Sequence, residues 1–173
     1  MGAIVTLREL LRIRRKLHRE EKTVVFTNGT FDIVHRGHVE YLEAARKQGD
    51  VLVVGLNSDA SVRKIKGPGR PINGVQDRAR VLAALRSVDY VCVFDQDTPA
   101  YVIGELVPDV LVKGADWSRK NIVGADVVEN HGGRVKRIQL TPGRSTTAMM
   151  MRILRAYGAR GVRIPQQPQR QRR

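Results

Sequence analysis

Two histidines three residues apart, His35 and His38, stand where an apolar run gives way to helix-forming sequence. Residues three apart on a helix share a face, and Gly37 between them removes a side chain, so that a ligand could come close to the backbone. Two imidazoles beside the free N–H groups of a helix start make a donor cluster suited to an anion, above all a phosphate. A zinc site would need a third ligand, and His18, His131 and the acids offer no recognisable metal-ligand spacing, so no metal site is expected. Two unrelated surface histidines is the plain alternative.

Other residues add cations and donors. Ser145, Thr146 and Thr147 can cap a helix while offering hydroxyls and N–H groups to phosphate; an ordinary cap is the alternative. Lys64, Lys66 and Arg70 fall in a glycine-rich stretch, 64–73, read as a basic flap for triphosphate or sugar phosphate, or else as solvated charge. Lys113 ends an apolar strand, where a charge is costly unless it is paired or aimed into a site. Asp116 could accept from a hydroxyl or a base, and Trp117 could stack on one or simply pack. Asp32 either contacts substrate or caps the turn before His35. The single cysteine, Cys92, lies in the run Val91-Cys92-Val93-Phe94 and reads as a buried structural thiol.

These residues need a frame that brings strand ends together. Thr6 and Glu9 have capping-box spacing, and Leu7, Leu10, Leu11 and Leu17 follow at helical intervals, predicting an amphipathic helix over 7–20. Short apolar strands are predicted at 23–27, 51–56, 91–94 and 110–113, with a more exposed fifth at 134–140. Helices are predicted at 38–48, from 77 with Val81, Leu82, Leu85 and Val88 as its stripe, after Thr98-Pro99 as N-cap and first helical residue, at 122–131 and at 146–157. Strands alternating with helices at this spacing predict a Rossmann-like α/β domain with a doubly wound parallel sheet of about five strands. In such sheets ligands bind beyond the carboxyl ends of the strands, where the residues named above fall.

The chain has 173 residues and a formal charge of +14, which invites a nucleic-acid partner. Residues 1–22 hold seven Lys/Arg against three Glu, and 152–173 hold seven Arg and no acid, leaving only +3 for the middle. The organisation expected is a basic amphipathic helix over 1–22, the α/β domain over 23–157 and a basic disordered tail over 158–173. With aromatics at 5%, the interleaved stacking residues of single-strand binders are missing, so nucleic acid is a minor alternative. No apolar run reaches the roughly 18 residues of a membrane span, and a cytoplasmic setting is expected.

The histidine stretch resembles the HxGH signature of the nucleotidyltransferase superfamily that includes cytidylyltransferases and class I aminoacyl-tRNA synthetases. Gly29-Thr30-Phe31-Asp32 resembles the lead-in of the cytidylyltransferase-like branch, Gly143-Arg144-Ser145-Thr146-Thr147 its late phosphate motif, and Leu111 through Trp117 the segment after its fourth strand. Residues 54–63, 69–73 and 95–99 resemble more narrowly the adenylyltransferases acting on heptose 1-phosphate. The resemblance covers about 23–153. It implies joining of ATP, with Mg²⁺ carried on the triphosphate, to D-glycero-β-D-manno-heptose 1-phosphate, giving ADP-heptose and pyrophosphate. It further implies His35, His38 and Lys113 as catalytic groups. Asn28, Gly29, Thr30, Phe31, Gly37, Asp116, Arg144, Ser145, Thr146 and Thr147 would hold the nucleotide, and Asp32, Asn57, Lys66 and Arg70 the sugar phosphate. A homo-oligomer is expected. A cytidylyltransferase for glycerol 3-phosphate or another polyol phosphate is the near alternative.

Overall fold

The computed structural model describes residues 1–158, so the basic tail expected from residue 158 lies, past Gly158, outside the described residues. In chain order the elements are β1 (Ala3–Val5), α1 (Leu7–Arg19), β2 (Val24–Gly29), α2 (Arg36–Arg46), β3 (Val51–Asn57), α3 (Asp59–Lys66), α4 (Val75–Ala83), β4 (Tyr90–Phe94), α5 (Ala100–Leu106), β5 (Val110–Gly114), α6 (Ala125–Asn130), β6 (Arg134–Ile138) and α7 (Thr146–Tyr157). The strands pair in parallel as one six-stranded sheet in the order β1-β4-β3-β2-β5-β6. The expected α/β class holds, with six strands where about five are predicted.

The additional strand is β1. Three residues are too few to show a period, but Ala3, Ile4 and Val5 stand in register with Tyr90, Val91 and Cys92 on β4. The capping box forms as its spacing predicts: Thr6 Oγ1 accepts from Glu9 N at 3.3 Å, and Glu9 Oε2 accepts from Thr6 N at 2.8 Å. Leu10 then enters the core at 1% exposure. Arg14 holds α1 to the sheet, donating to Asp109 Oδ1 at 2.8 Å while Asp109 Oδ2 accepts from Val24 N at 2.7 Å. The first 22 residues thus contribute both an edge strand and core.

Alternate residues of each strand face opposite layers, as the pleat requires. Val25, Leu52, Val54, Val91, Val110 and Val112 pack with Leu42, Ala45, Ala79 and Leu82 of α2 and α4. Val24, Phe26, Val53, Cys92 and Leu111 pack on the other side with Leu10, Ile103, Leu106 and Val128 of α1, α5 and α6. Helices on both faces explain why the strand sequences are almost uniformly apolar. Cys92 is buried in the second layer, and burial pushes its thiol up to about 11, as a structural cysteine should be.

Several bounds shift by one to three residues, α2 to Arg36–Arg46 and α6 to Ala125–Asn130 among them, and three differences change the reading of the frame. The helix predicted from 77 runs from Val75 to Ala83, so Ala79, Leu82 and Ala83 form its buried face and Val81 is 46% exposed. Pro99 rather than Thr98 caps α5, with no side-chain cap bond. The stretch 64–73 is not all loop: Ser58 Oγ caps α3 through Ser61 N, and Asp59 in its first turn with Arg63, Lys64 and Lys66 in its last suits the helix dipole. Gly67 ends it at φ 89. Among the described residues no helix is long and apolar enough to cross a membrane.

Candidate active site

From β2 at its centre the chain winds outward through β3 and β4, then returns to lay β5 and β6 on the opposite side. The winding direction changes between β2 and β5, and a crevice must open at their carboxyl ends. A cleft of about 520 Å³ occupies that place. Its size suits a nucleotide-sized ligand.

β2 delivers Asn28 and Gly29, and β5 delivers Lys113 and Gly114, to the floor of this cleft. Lys113 is 8% exposed, its ammonium bonded to Asn28 Oδ1 and 5.6 Å from the centre of the Trp117 ring. The charge that ends an apolar strand is therefore paired across the switch point and aimed into the cleft.

His35 caps α2 with extended backbone and makes no side-chain cap bond, and His38 follows in its first turn. Their rings stack with centroids 3.9 Å apart and planes 13° from parallel. Both Nδ1 atoms are buried with no hydrogen-bond partner among the described residues, leaving Nε2 as the nitrogen each ring offers to the cleft. Burial lowers the His38 pKa to about 4, helped by the neighbouring His35. Burial also lowers His35, with the Arg144 guanidinium adding to the effect. The pair is thus neutral at neutral pH, one N–H available per ring. Gly37 makes the arrangement possible: a Cβ there would stand 3.1 Å from Arg144 Cβ and 3.2 Å from the His35 ring.

The turn ahead of the histidines is held from beneath. Phe31 adopts a left-handed φ of 41°, a conformation that persists in a bulky residue only when its surroundings impose it. Its ring meets His38 edge-on at 5.2 Å. Asp32, whose side chain is fully buried, bonds Arg70 Nε at 2.5 Å and the backbone N–H groups of Ile72 and Asn73 at 2.7 and 2.9 Å. Arg78, at 1% exposure, donates to Thr30 O at 2.6 Å, Asn73 O at 3.0 Å and Asp59 Oδ1 at 2.7 Å. Together they fix segment 67–74, from which Arg70 lines the cleft; of the residues read from sequence as binding substrate Asp32 does not line it, and Lys64 of the expected flap pairs with Asp97 at 3.1 Å instead.

The start of α7 adds another wall. Ser145 caps it, Oγ accepting from Ala148 N at 3.0 Å, and Thr146 Oγ1 reaches Ile33 O at 3.4 Å. Arg144, Thr146 and Thr147 line the cleft beside Gly37. Asn57, Lys66 and Arg70 line the cleft towards β3, with Asp97, Thr98 and Pro99 from the β4–α5 loop, and Arg70 also reaches Met150 Sδ of α7 at 3.4 Å. Sequence reasoning missed Tyr41, whose buried hydroxyl joins Thr27 Oγ1 at 2.7 Å and Val112 O at 3.2 Å. It also missed Arg78, and it marked 95–99 as a resemblance without assigning Asp97, Thr98 or Pro99 to the site. Among the described residues no group of three or more His, Cys, Asp or Glu could hold a metal ion. The whole arrangement is a row of neutral and cationic donors along one cleft, suited to a polyphosphate and a second anionic substrate.

A cytidylyltransferase-like family model matches residues 26–155. Bifunctional protein HldE of Syntrophotalea carbinolica is 56% identical over 152 residues, 88% of this chain and 30% of that protein. Bifunctional protein HldE of Gluconobacter oxydans is 53% identical over 149 residues, 86% of this chain and 31% of that protein. The chain thus spans about 30% of the length of the curated relatives it matches. Among solved structures, a lipopolysaccharide core biosynthesis protein from Thermoplasma volcanium matches with TM-score 0.58 and 26% identity, over 69% of this chain and 97% of that one. Pantoate-beta-alanine ligase from Francisella tularensis shares the fold, with TM-score 0.59 and 14% identity over 85% of this chain and 69% of that one.

Proposed function

The chain belongs to the cytidylyltransferase-like family and is a nucleotidyltransferase, and on that premise we propose that it joins ATP to D-glycero-β-D-manno-heptose 1-phosphate, releasing ADP-heptose and pyrophosphate. The observation that carries the reading is the stacked, neutral His35–His38 pair at the switch point, beside Lys113 and the capped start of α7.

A phosphate oxygen of the sugar 1-phosphate attacks the α-phosphorus of ATP; the new P–O bond forms as the bond to the β-phosphate oxygen breaks, and the electron pair leaves with pyrophosphate. The attacking oxygen is already ionised, so no side chain has to remove a proton. What the protein supplies is alignment and a fixed set of donors for charge that builds on the phosphoryl oxygens. His35 and His38 donate through Nε2–H to the α-phosphoryl oxygens, and Lys113 neutralises charge from the floor. Arg144, Ser145, Thr146 and Thr147 take the β- and γ-phosphates at the α7 start. Asp116 and the backbone around Asn28, Gly29, Thr30 and Phe31 hold the nucleoside, while Gly37 permits the close approach. Lys66 and Arg70 take the sugar phosphate, with Asn57 beside them. Asp32 acts indirectly, by anchoring Arg70. Mg²⁺ enters as part of the substrate, on the triphosphate.

The test is pyrophosphate release with ATP or CTP against a panel of sugar and polyol phosphates. ATP with heptose 1-phosphate is expected to give the highest kcat/KM, and His38→Ala or His35→Ala to lower kcat by about 10²- to 10³-fold. Near-wild-type rates in both variants would remove the assigned role, and preference for CTP with a polyol phosphate would favour the neighbouring reading.

A further inference from the structure

Asn57 ends β3 on the side of the cleft given above to the sugar phosphate, and it is 4% exposed. Its Nδ2 donates to Ser61 Oγ at 2.9 Å, and Ser61 Oγ in turn lies 2.9 Å from the carbonyl oxygen of Gln96. The direction of this chain is forced. A carbonyl only accepts, so the one proton of Ser61 goes to Gln96, and the lone pair left on Oγ can meet only a donor. Turning the Asn57 amide over would set Oδ1 against that lone pair. Ser61 is fully buried, so no water reaches Oγ itself to relieve the mismatch, and the other orientation would either face two acceptors or take the Ser61 proton away from Gln96.

Nothing in this relay waits for a ligand. Ser61 sits in the first turn of α3, where its own N–H is taken by Ser58 Oγ at 3.3 Å, and Ser58 N is tied to Phe94 O at 2.9 Å. The relay partners therefore come from β3, α3 and the loop after β4, all anchored to the sheet. Asn57 Oδ1 is left without a donor among the described residues, held as an acceptor in the cleft wall. An acceptor repels phosphate oxygens and rewards an O–H. Lys66 and Arg70 on the same side offer the opposite: donors and positive charge, which suit the phosphate.

We propose that Asn57 reads a hydroxyl of the acceptor substrate, and that Ser61, through its bond to Gln96, is the positioning residue that keeps Asn57 facing that hydroxyl. The site would then discriminate among phosphorylated polyols by one placed O–H, apart from their phosphate. This rests on the acceptor being a phosphorylated sugar or polyol.

The experiment measures steady-state pyrophosphate release from ATP with a panel of phosphorylated polyols, heptose 1-phosphate first. Ser61→Ala is expected to raise KM for the acceptor by about three- to tenfold, the worth of one hydrogen bond, while kcat and KM for ATP stay near wild type. Asn57→Ala is expected to raise the same KM, and the double variant to add nothing to it, because Ser61 acts only through Asn57. Unchanged acceptor KM in Ser61→Ala, or additive losses spread over both KM values and kcat, overturns the proposal. The wild type gives a second reading that no folding defect can confuse: at one hydroxyl position a deoxyfluoro acceptor, which cannot donate, should bind as poorly as the deoxy acceptor. Fluoro analogues that restore binding at every position overturn the acceptor role of Asn57. If heptose 1-phosphate is not turned over but another acceptor is, the sugar proposed above fails and Ser61 is judged on that acceptor; if no member of the panel is turned over, both fail.

Discussion

The starts of α2 and α7 meet at Gly37 and Arg144, and both present donors to the same cleft, yet they are held in different ways. α2 buries Gly37, Tyr41, Leu42 and Ala45, and the turn leading into it is gripped by Asp32 and Arg78 from below. α7 buries none of its residues; Ile153 is 50% and Tyr157 88% exposed, and its ties to the body include Thr146 to Ile33 O and Arg70 to Met150 Sδ, each at 3.4 Å. Local opening follows buried contact. A histidine pair that has to stabilise charge at one phosphorus atom needs the fixed wall. Donors for the terminal phosphates of a flexible chain can work from the looser one.

The largest blow to the fixed wall is Arg78→Ala. It strips donors from Thr30 O and Asn73 O and takes the guanidinium from Asp59, and urea unfolding is expected to show a loss of about 3 to 5 kcal/mol. A loss below about 1 kcal/mol would mean that the turn stands without it and that the contrast between the walls is overstated.

Acid sharpens the same contrast. With its pKa lowered from 6.5 to about 4, His38 stays neutral in the fold while its unfolded counterpart takes up a proton below 6.5. The unfolded state then binds more protons, so this group costs nothing above pH 6.5 and removes stability as pH falls from 6.5 towards 4, by up to about 3 kcal/mol. His38→Gln should flatten that part of the pH–stability curve relative to wild type. Bound triphosphate, which favours the protonated ring, should shrink the loss.

The smallest effect belongs to the other wall. Ser145→Ala removes the cap bond to Ala148 N and is expected to cost α7 about 1 kcal/mol. Because no residue of α7 is buried, hydrogen exchange should show it opening more readily while the global unfolding midpoint barely moves. Loss of α7 protection only together with the sheet would erase the difference between the walls.

Much of the frame could be read from periodicity. The Thr6–Glu9 capping box and the β-branched strands state their partners locally, and the residues just past the strand ends are those that line the cleft. What escaped depends on distant contacts. Ala3–Val5 becomes a strand only because β4 offers an edge in register, and α3 hides behind a run of Gly, Pro and Lys that looks like loop until Ser58 is seen as its cap. Arg78 reads as one more basic residue on a helix; its burial reflects three acceptors separated from it by 5, 19 and 48 positions. For Asp32 substrate contact and a turn cap are both open from sequence, because the N–H groups its carboxylate accepts from, those of Ile72 and Asn73, arrive from a segment without helical or strand periodicity.

The reversal of winding at β2 has an evolutionary consequence. Residues 57–98, wound to one side, build the end of the cleft given to the acceptor, and residues 113–147, wound to the other, build the end given to the nucleotide. Both pack against the β2–α2 stretch between them, the first through Arg70 on Asp32 and the second at the Asn28–Lys113 contact and at Arg144 beside Gly37. A duplicated gene can therefore acquire a new acceptor by drift in one contiguous stretch of its coding sequence, while the machinery that activates the nucleotide is inherited whole.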